Sequence, residues 1–314
     1  MLKSKVLIIG LDSQNGIYLS NYLKNFSKSK NLRVFGTSRN LKACHNNLVE
    51  KVYFLDLNHP KQLKIILKDV EPDFIFIYAG KTSSLTVNKN FQEHLSLNFL
   101  PVSHVLNWIY EKKNNCKLFY ASSAERFGNT DLSCDEDSIC VPTTFYGVTK
   151  LLADKLVTFF RKKHGLFCVN GYFYNNESYL RDESYFSKRI ILNALKVKAK
   201  KLNRLEVFNP ENVRDWSHTF DFASAAWHVL NLNEPEDYIF SSGKGYSVKE
   251  FASICLQKLD LNPEEIIIYP KKTDSKVSQT TSIRLGNNKK LISTGWVPKF
   301  NLYSLCEDLI SKSI

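Results

Sequence analysis

The stretch IIGLDSQNGIYLSNYL, residues 8–23, joins an apolar run to an amphipathic segment through a short turn. Gly10 and Gly16 have the outer spacing of a G-x-x-G-x-x-G motif, and Ser13 stands where the middle glycine would be. A turn of this kind allows close helix–strand packing, and the amide groups of the helix N-terminus face a pyrophosphate. An ordinary βα turn could have the same outer glycines. The rest of the sequence therefore has to distinguish it from a dinucleotide-binding turn. We predict a dinucleotide site formed by Gly10, Ser13, Gln14, Asn15 and Gly16.

Short apolar runs alternate with helix-length segments through the first half of the chain. The runs that read as buried strands are 5–10, 32–38, 51–57, 73–80, 116–123 and 166–175. The segments that read as helices are 15–27, 60–69, 92–112 and 145–163. This alternation predicts a doubly wound parallel sheet, whose ligands bind outside the carboxyl ends of the strands. Gly10, Ala79, Gly80 and Ser123 all fall at such ends.

The pattern loosens after about residue 175. Helices are predicted at 185–201 and 247–261, the second with a capping box of Ser247 and Glu250. A short strand leads into a loop over 204–218, another strand lies within 264–270, and helices close the chain. The predicted fold is therefore α/β, a Rossmann-type doubly wound parallel sheet with a smaller C-terminal α/β substrate-binding cap. The Rossmann domain is assigned to 1–175, with parts of 205–245 returning to it, and the cap to 176–314.

Composition narrows the class of protein. The 314 residues are 43% hydrophobic, which suffices for a sizeable core, and no apolar run reaches the ~18 residues of a membrane span. The N-terminus lacks a signal-peptide layout, so a cytoplasmic protein is expected. Seven cysteines without a CxxC pair argue against a zinc site or other metal site and against a disulfide framework. The net charge of +12 is dispersed in clusters near predicted helix ends, which indicates a solvated surface. A positive field that attracts a nucleotide diphosphate is the second interpretation, and binding of nucleic acid is disfavoured.

The end of the second strand indicates which dinucleotide is bound. About 20 residues past the glycine turn, NAD-specific proteins carry an acidic residue for the ribose 2′-hydroxyl. The sequence here is GTSRN, residues 36–40, with Arg39 and no carboxylate. An arginine favours a 2′-phosphate, so NADP is predicted, with NAD as the alternative. Asp56 and Leu57, after the third strand, are placed to hold the adenine.

Two further stretches carry residues suited to chemistry. In FYASSAERFG, residues 119–128, Ser123 and Glu125 follow a buried strand, and YGVTK places Tyr146 and Lys150 four residues apart. That spacing puts the tyrosine and the lysine on one helix face. A lysine and a nicotinamide ring beside it lower the pKa of a phenol, and the phenolate can then take the proton of a sugar hydroxyl. Ser123 can share the hydrogen bond of that hydroxyl.

With these residues in view, the chain resembles the extended short-chain dehydrogenase/reductase superfamily, within its NAD-dependent epimerase/dehydratase family. It is most similar to the GDP-mannose 4,6-dehydratases. The resemblance runs almost from end to end. It rests on GLDSQNGIYL, FYASSAERFG, YGVTK, VNGYFYNNES, VRDWSHTFDFASAAW, EDYIFSSGKGYSVKEF and KLISTGWVPKF, with NNES and RDWSH the most specific of these.

The resemblance implies a nucleotide-sugar 4,6-dehydratase that uses NADP. Ser123, Tyr146 and Lys150 would then oxidise C4 of the sugar, and Glu125 would remove the C5 proton before water leaves from C6. Arg181 would lie near the cofactor phosphates. The nucleotide diphosphate sugar would be contacted by Asn175, Glu177, Lys188, Arg214 and Arg284. A homodimer or homotetramer is expected, as in the relatives.

The chain also departs from the family pattern. SQTT, residues 278–281, stands where the family has R-P-x-E, which grips the diphosphate and ribose of the substrate, and Arg284 is expected to compensate. Two alternatives stay open. One is a nucleotide-sugar epimerase or 4-keto reductase of the same superfamily. The other is a non-catalytic nucleotide- or RNA-binding protein that has kept the fold.

Overall fold

The computed structural model describes residues 3–30, 32–41, 46–81, 90–112, 115–130, 132–270 and 282–314. The chain divides into two compact units. Unit 1 comprises Met1–Gly128, Ser138–Phe173 and Phe222–Phe240, and unit 2 comprises Asn129–Asp137, Tyr174–Asp221 and Ser241–Ile314. We retain the division into a Rossmann domain, 1–175, and a cap, 176–314, as a proposal about function.

The regular elements are numbered in chain order. As far as residue 173 they are β1 Ser4–Ile9, α1 Gln14–Lys30, β2 Leu32–Ser38, β3 Lys51–Phe54, α2 Pro60–Val70, β4 Phe74–Ile77, α3 Phe91–Asn98, α4 Leu100–Lys112, β5 Lys117–Ser123, α5 Phe145–His164 and β6 Cys168–Phe173. The remainder are β7 Asn175–Glu177, α6 Phe186–Lys198, β8 Leu205–Glu206, β9 Val213–His218, α7 Thr219–Leu230, β10 Tyr238–Phe240, β11 Gly245–Ser247, α8 Val248–Gln257, α9 Pro263–Ile266, β12 Ile267–Ile268, β13 Ile283–Arg284, α10 Lys289–Ser293 and α11 Leu302–Ser311.

Unit 1 is built on a seven-stranded sheet of order β10-β6-β5-β4-β1-β2-β3. Each neighbouring pair of strands is parallel. The chain moves outward from β1 to β3 and then returns beside β1 as β4, which makes the ends of β1 and β4 the switch point where ligands of such sheets bind. The predicted doubly wound parallel sheet is confirmed.

Both faces of this sheet are covered, which explains the nearly continuous apolar strands. One face packs against α2, α4 and α5 through side chains such as Leu7, Ile75 and Leu118, all without solvent exposure. The opposite face is aromatic. Its rings are close neighbours and include Phe76, Phe119, Phe173 and Phe240, and Phe222 of α7 packs against the last two.

Several predicted bounds differ from the observed ones. The helix expected over 92–112 is two helices, α3 and α4, separated by Phe99. Pro101 stands at the second position of α4 and lacks an N–H, so the hydrogen-bond ladder of α3 cannot continue through it. The strand expected over 166–175 ends at Phe173. The loop expected towards residue 218 is the strand β9, six residues long.

Unit 2 contains a four-stranded sheet and a helical layer. Strands β11, β9 and β13 lie in that order, and β7 pairs with β9, while β8 and β12 form a separate pair. Helices α6, α8 and α11 share a core with Trp216. The predicted capping box is present, because the Ser247 hydroxyl accepts the Glu250 N–H at 3.1 Å and the Glu250 carboxylate accepts the Ser247 N–H at 2.6 Å.

Candidate active site

The glycine turn after β1 is closed by the serine that replaces the middle glycine. The Ser13 hydroxyl donates to the Gly10 carbonyl at 2.7 Å and accepts the Gly16 N–H at 3.0 Å. A Cβ on Gly16 would lie 2.3 Å from the Gly10 carbonyl oxygen, so only glycine permits this approach. Gly10 has φ +97°, in the region that favours glycine. Ser13 therefore completes the turn with its own side chain, and Gln14 and Asn15 open α1 directly after it.

The end of β4 lies against the same turn. A Cβ on Gly10 would lie 2.6 Å from the Ala79 nitrogen. Gly80 has φ +157°, and the Asn98 side-chain oxygen accepts the Lys81 N–H at 2.8 Å just beyond it. The Asn98 amide also donates to the Thr149 hydroxyl at 3.2 Å. Asn98 thus links the strand end to the residue before Lys150. Sequence reasoning missed it, because the burial of Asn98 depends on the packing of α3 in the fold.

Two charged residues are associated with the end of β2. Arg39 follows the last residue of the strand and is exposed, and its contact with a cofactor ribose stays a prediction. Asp12, from the glycine turn, accepts a hydrogen bond from the Ser38 hydroxyl. The local sequence GTSRN contains no carboxylate, so sequence reasoning missed this one. It reaches β2 from a turn 26 residues earlier in the chain.

Asp56 and Leu57 lie directly after β3. The Asp56 N–H donates to Gln62 at 3.0 Å, and its carboxylate accepts the Asn58 N–H at 3.0 Å. These bonds fix the turn that leads into α2. Leu57 is half-buried against the core of unit 1. Their contact with an adenine ring stays a prediction.

The predicted catalytic residues meet at the end of β5. Ser123 ends the strand, is 9% exposed, and its hydroxyl accepts the Glu125 N–H at 3.2 Å. Helix α5 begins after Thr144, whose hydroxyl accepts the Gly147 N–H at 3.0 Å. A Cβ on Gly147 would lie 2.5 Å from the Glu125 carbonyl oxygen, so the first turn of α5 touches the backbone of Glu125.

Lys150 is anchored one turn further along α5. Its Nζ donates to the Ala121 carbonyl at 2.7 Å and lies 5.7 Å from the centre of the Tyr146 ring. Burial lowers the pKa of Lys150 to about 8, and the nearby carboxylate of Asp154 acts in the opposite direction. The structure therefore brings Ser123, Glu125, Tyr146 and Lys150 to one corner of unit 1. Their catalytic roles stay a prediction.

A buried ion pair joins Arg126, the residue after Glu125, to Asp154, one helical turn after Lys150. Arg126 and Asp154 are 3% and 1% exposed, with 3.3 Å between the Arg126 Nε and an Asp154 oxygen. The Arg126 guanidinium also lies 3.8 Å from the centre of the Tyr172 ring. Burial raises the pKa of Asp154 to about 7, while Arg126 opposes that rise. Sequence reasoning missed the pair, although Asp154 stands one helical turn after Lys150 and Arg126 directly after Glu125.

Three of the predicted residues in unit 2, Glu177, Arg181 and Lys188, have partners within that unit. Glu177 is 3% exposed, accepts the Ser187 hydroxyl at 2.6 Å and lies 3.3 Å from the Arg181 Nε. Burial raises the pKa of Glu177, and Arg181 acts against that rise. Lys188 donates to the Tyr179 carbonyl and the Ser313 hydroxyl, each at 3.0 Å. Glu177 and Lys188 therefore have structural partners, and their contact with a substrate stays a prediction.

Two arginines lie side by side in the sheet of unit 2. Arg214 on β9 and Arg284 on β13 are register partners on parallel strands, so their side chains leave the same face. Arg214 donates to the Ser282 carbonyl and hydroxyl, each at 2.8 Å. Asn175, on β7, pairs with Trp216 of the same β9. The SQTT stretch, residues 278–281, lies outside the residues that the structure describes.

None of the helices in the described ranges is long and apolar enough to cross a membrane.

Solved structures of similar fold belong to proteins with several different activities. A structure of RMD from Pseudomonas aeruginosa complexed with NADPH has a TM-score of 0.79 at 20% identity, covering 99% of this chain and 97% of that one. A dTDP-glucose 4,6-dehydratase from Bacillus anthracis in complex with NAD gives 0.80 at 18% identity, with 98% and 96% covered. A UDP-Glc/GlcNAc 4-epimerase from Campylobacter jejuni gives 0.79 at 18%, with 99% of each covered. These likenesses establish the fold.

Sequence comparison is more specific. The family model for GDP-mannose 4,6 dehydratase matches residues 7–309. The human GDP-mannose 4,6 dehydratase is 26% identical over 88% of this chain and 77% of its own length. The Vibrio cholerae GDP-mannose 4,6-dehydratase is 25% identical over 100% of this chain and 94% of its own. The resemblance seen in the sequence is thereby confirmed, and the chain belongs to the GDP-mannose 4,6-dehydratase family, a family of nucleotide-sugar dehydratases.

Proposed function

We propose that this protein is an NADP-dependent nucleotide-sugar 4,6-dehydratase. The observation that carries the proposal is the meeting of Ser123 and Glu125, at the end of β5, with Tyr146 and Lys150, in the first turns of α5. Family membership supports it. A plain oxidoreductase needs the tyrosine, the lysine and the hydroxyl, whereas the carboxylate supplies the base that elimination requires.

The strand ends of unit 1 fit a dinucleotide. Gly10 and Gly16 are held in a turn that no side chain could enter, and α1 begins directly behind them. Arg39 at the end of β2 suits a 2′-phosphate, and two structures of similar fold are complexes with NADPH and NAD. When bound, the nicotinamide stores a hydride from the sugar and returns it later in the same turnover.

Oxidation at C4 is assigned to the residues of α5. The Tyr146 phenolate takes the proton of the C4 hydroxyl while the C4 hydrogen leaves as hydride, so that a ketone forms. The charge of Lys150 favours the phenolate, and the bond from Lys150 to the Ala121 carbonyl fixes where that charge lies. The Ser123 hydroxyl donates to the oxygen that becomes the ketone.

Elimination is assigned to Glu125. The new ketone makes the hydrogen on C5 acidic, and the Glu125 carboxylate removes it as a proton. The C6–O bond then breaks, and the oxygen leaves as water with the proton that Glu125 holds. The hydride would return to C6 from the bound nicotinamide, and C5 would take up the proton that Tyr146 removed from the C4 hydroxyl. The sugar has lost one water, and no net oxidation has occurred.

The nucleotide part of the substrate is assigned to unit 2. Arg214 and Arg284, as register neighbours on one face, would offer two positive charges to the two negative charges of a diphosphate. Asn175 on the adjacent strand can contribute an amide. A homodimer or homotetramer is retained as a prediction, and light scattering of the purified protein tests it.

Mass spectrometry tests the function directly. The purified protein is incubated with NADP and, separately, with GDP-, UDP-, CDP- and dTDP-hexoses. Loss of one water from one member, with GDP-mannose the first candidate, supports the proposal. An isomer of unchanged mass, or net consumption of reduced cofactor, would establish an epimerase or a 4-keto reductase instead. No change in any member, with no dinucleotide retained, would favour a binding protein on this fold.

A further inference from the structure

One carboxylate at the edge of the unit 1 sheet takes no part in the chemistry assigned above. Asp12 is exposed in the turn between β1 and α1, and it accepts a hydrogen bond from the Ser38 hydroxyl. Ser38 is the last residue of β2, is 4% exposed, and its hydroxyl also accepts the Asn40 N–H at 2.7 Å. The carboxylate is thus held at the end of β2, although it comes from another element.

That strand end is where a Rossmann sheet distinguishes the two dinucleotides. An acidic side chain there hydrogen-bonds the ribose 2′-hydroxyl of NAD, whereas an arginine accommodates the 2′-phosphate of NADP. This chain has both kinds of group next to Ser38, since Arg39 follows it in the chain and Asp12 accepts a hydrogen bond from its hydroxyl. Arg39 lies between Ser38 and Asn40 in the chain. The Ser38 hydroxyl donates to the Asp12 carboxylate and accepts the Asn40 N–H, so it links both neighbours of Arg39 to Asp12.

We propose that Asp12 is a specificity-determining residue that opposes Arg39 and narrows the preference for NADP over NAD. A 2′-phosphate is attracted by the guanidinium of Arg39 and repelled by the carboxylate of Asp12. A 2′-hydroxyl donates a hydrogen bond to that carboxylate and gains nothing from the charge of Arg39. The chain therefore binds both dinucleotides. The inference rests on the proposed function, because it presupposes a dinucleotide at these strand ends.

Equilibrium binding tests the proposal without any sugar substrate. NADP and NAD are titrated by calorimetry into the full chain and into Asp12→Asn, which keeps an acceptor for Ser38 and removes the charge. We expect NADP to bind about three- to tenfold more tightly to the variant, since one like-charge repulsion at an exposed site is removed. NAD should bind no more tightly than before. In Arg39→Ala the ratio of NADP affinity to NAD affinity should fall, because NADP binds more weakly and the binding of NAD changes little.

Controls separate a local effect from one of net charge or folding. Glu111→Gln makes the same charge change at an exposed position on α4. It should leave both affinities unchanged. Adenosine 2′,5′-bisphosphate and 5′-AMP repeat the comparison with the nicotinamide removed, so that only the ribose substituent differs. The gain for NADP in Asp12→Asn should shrink as salt rises, because screening weakens the repulsion.

An unchanged ratio of the two affinities in Asp12→Asn, with the thermal unfolding of the wild type retained, overturns the proposal and leaves the dehydratase assignment intact. Asp12→Ala then serves as a second variant, and the same unchanged ratio there confirms the negative result. Failure of both dinucleotides to bind the wild-type chain overturns the cofactor inference and the proposed function together. A higher ratio of NADP affinity to NAD affinity in Asp12→Asn, with the ratio unchanged in Glu111→Gln, supports the role of Asp12 in cofactor specificity.

Discussion

Glu125 lies between Ser123, which ends the strand β5, and Arg126, which is buried in an ion pair with Asp154. The Ser123 hydroxyl holds its N–H, and the first turn of α5 packs on its carbonyl. The backbone is therefore fixed on both sides, and the side chain is half-buried. A carboxylate on so rigid a support suits removal of a proton from one defined carbon.

Glu125→Gln tests that role. We expect water loss to slow by about 10²–10⁴-fold, the usual contribution of a positioned acid or base, while oxidation at C4 continues. The absorbance of reduced cofactor should then form and persist. Tyr146→Phe provides the contrast, because it should prevent the absorbance from forming. Normal dehydration by Glu125→Gln would show that another group removes the C5 proton.

The buried pair behind the site is expected to matter for stability. Asp154→Asn leaves the Arg126 guanidinium buried without its carboxylate, which should cost about 3–5 kcal/mol of unfolding free energy. Replacing both partners with leucine should recover much of that loss, because no buried charge is left. Urea denaturation measures both effects. A loss for Asp154→Asn no larger than that for the exposed Glu111→Gln would contradict the account.

At the scale of elements, His218 joins three segments of unit 2. It is the last residue of β9, its Nδ1 accepts the Phe220 N–H of α7 at 2.9 Å, and its Nε2 lies 3.1 Å from an Asp308 oxygen of α11. The ring also stacks on Phe300, with 3.9 Å between centres. Burial lowers the pKa of His218, and Asp308 only partly offsets this.

This geometry predicts how stability varies with pH. The unfolded chain takes up a proton at His218 near pH 6.5, but the folded chain does so only at a lower pH. The unfolded state therefore binds more protons in that window, and the unfolding free energy should decline as pH falls below about 6.5. His218→Asn should flatten the decline. The exposed His104→Asn is the matched control, and an equal slope in all three proteins would contradict the assignment.

The elements themselves were largely predictable from local signals. Apolar runs fixed the strands β1, β2 and β5 to within one residue at either end, and Ser247 with Glu250 marked the start of α8. The split of α3 from α4 could have been read from Pro101. The strand β9 could not, because its partners β7, β11 and β13 lie far apart in the chain and none predicts the pairing alone.

The candidate site was predictable where one short stretch supplies neighbouring residues. Tyr146 and Lys150 are fixed by helical spacing, and Ser123 with Glu125 by a strand end. Asp12 was not found, because its partner Ser38 is brought to it by the pairing of β1 with β2. Contacts of that kind depend on the register of the sheet, which single-residue patterns do not contain.

At the scale of the whole molecule, the sheet of unit 1 is completed late in the chain. Strand β10 pairs with β6, and Phe222 and Phe240 of the same returning segment pack on Phe173. A fragment that ends at residue 175 keeps β6 and Phe173 but lacks β10, Phe222 and Phe240. It would leave β6 as an open edge beside an uncovered aromatic face, which is an arrangement prone to aggregation.

We therefore expect the fragment 1–175 to aggregate or to unfold without a cooperative transition, unlike the full chain. Size-exclusion chromatography and thermal circular dichroism measure these two properties. A fragment of 1–175 joined by a flexible linker to 222–240 is the matched control, and it should recover monomeric behaviour. A well-folded monomer from 1–175 alone would show that the returning segment contributes little.

The late position of β10 also has a consequence for protein synthesis. Ribosomes add roughly 5–20 residues per second, so β10 emerges several seconds after β6. During that interval the nascent chain carries six of the seven strands of the unit 1 sheet and an unprotected aromatic surface. The nascent chain therefore needs a chaperone most until residues 222–240 have been synthesised and have joined unit 1. Slow codons between β6 and β10 would lengthen the time for which the aromatic surface is exposed.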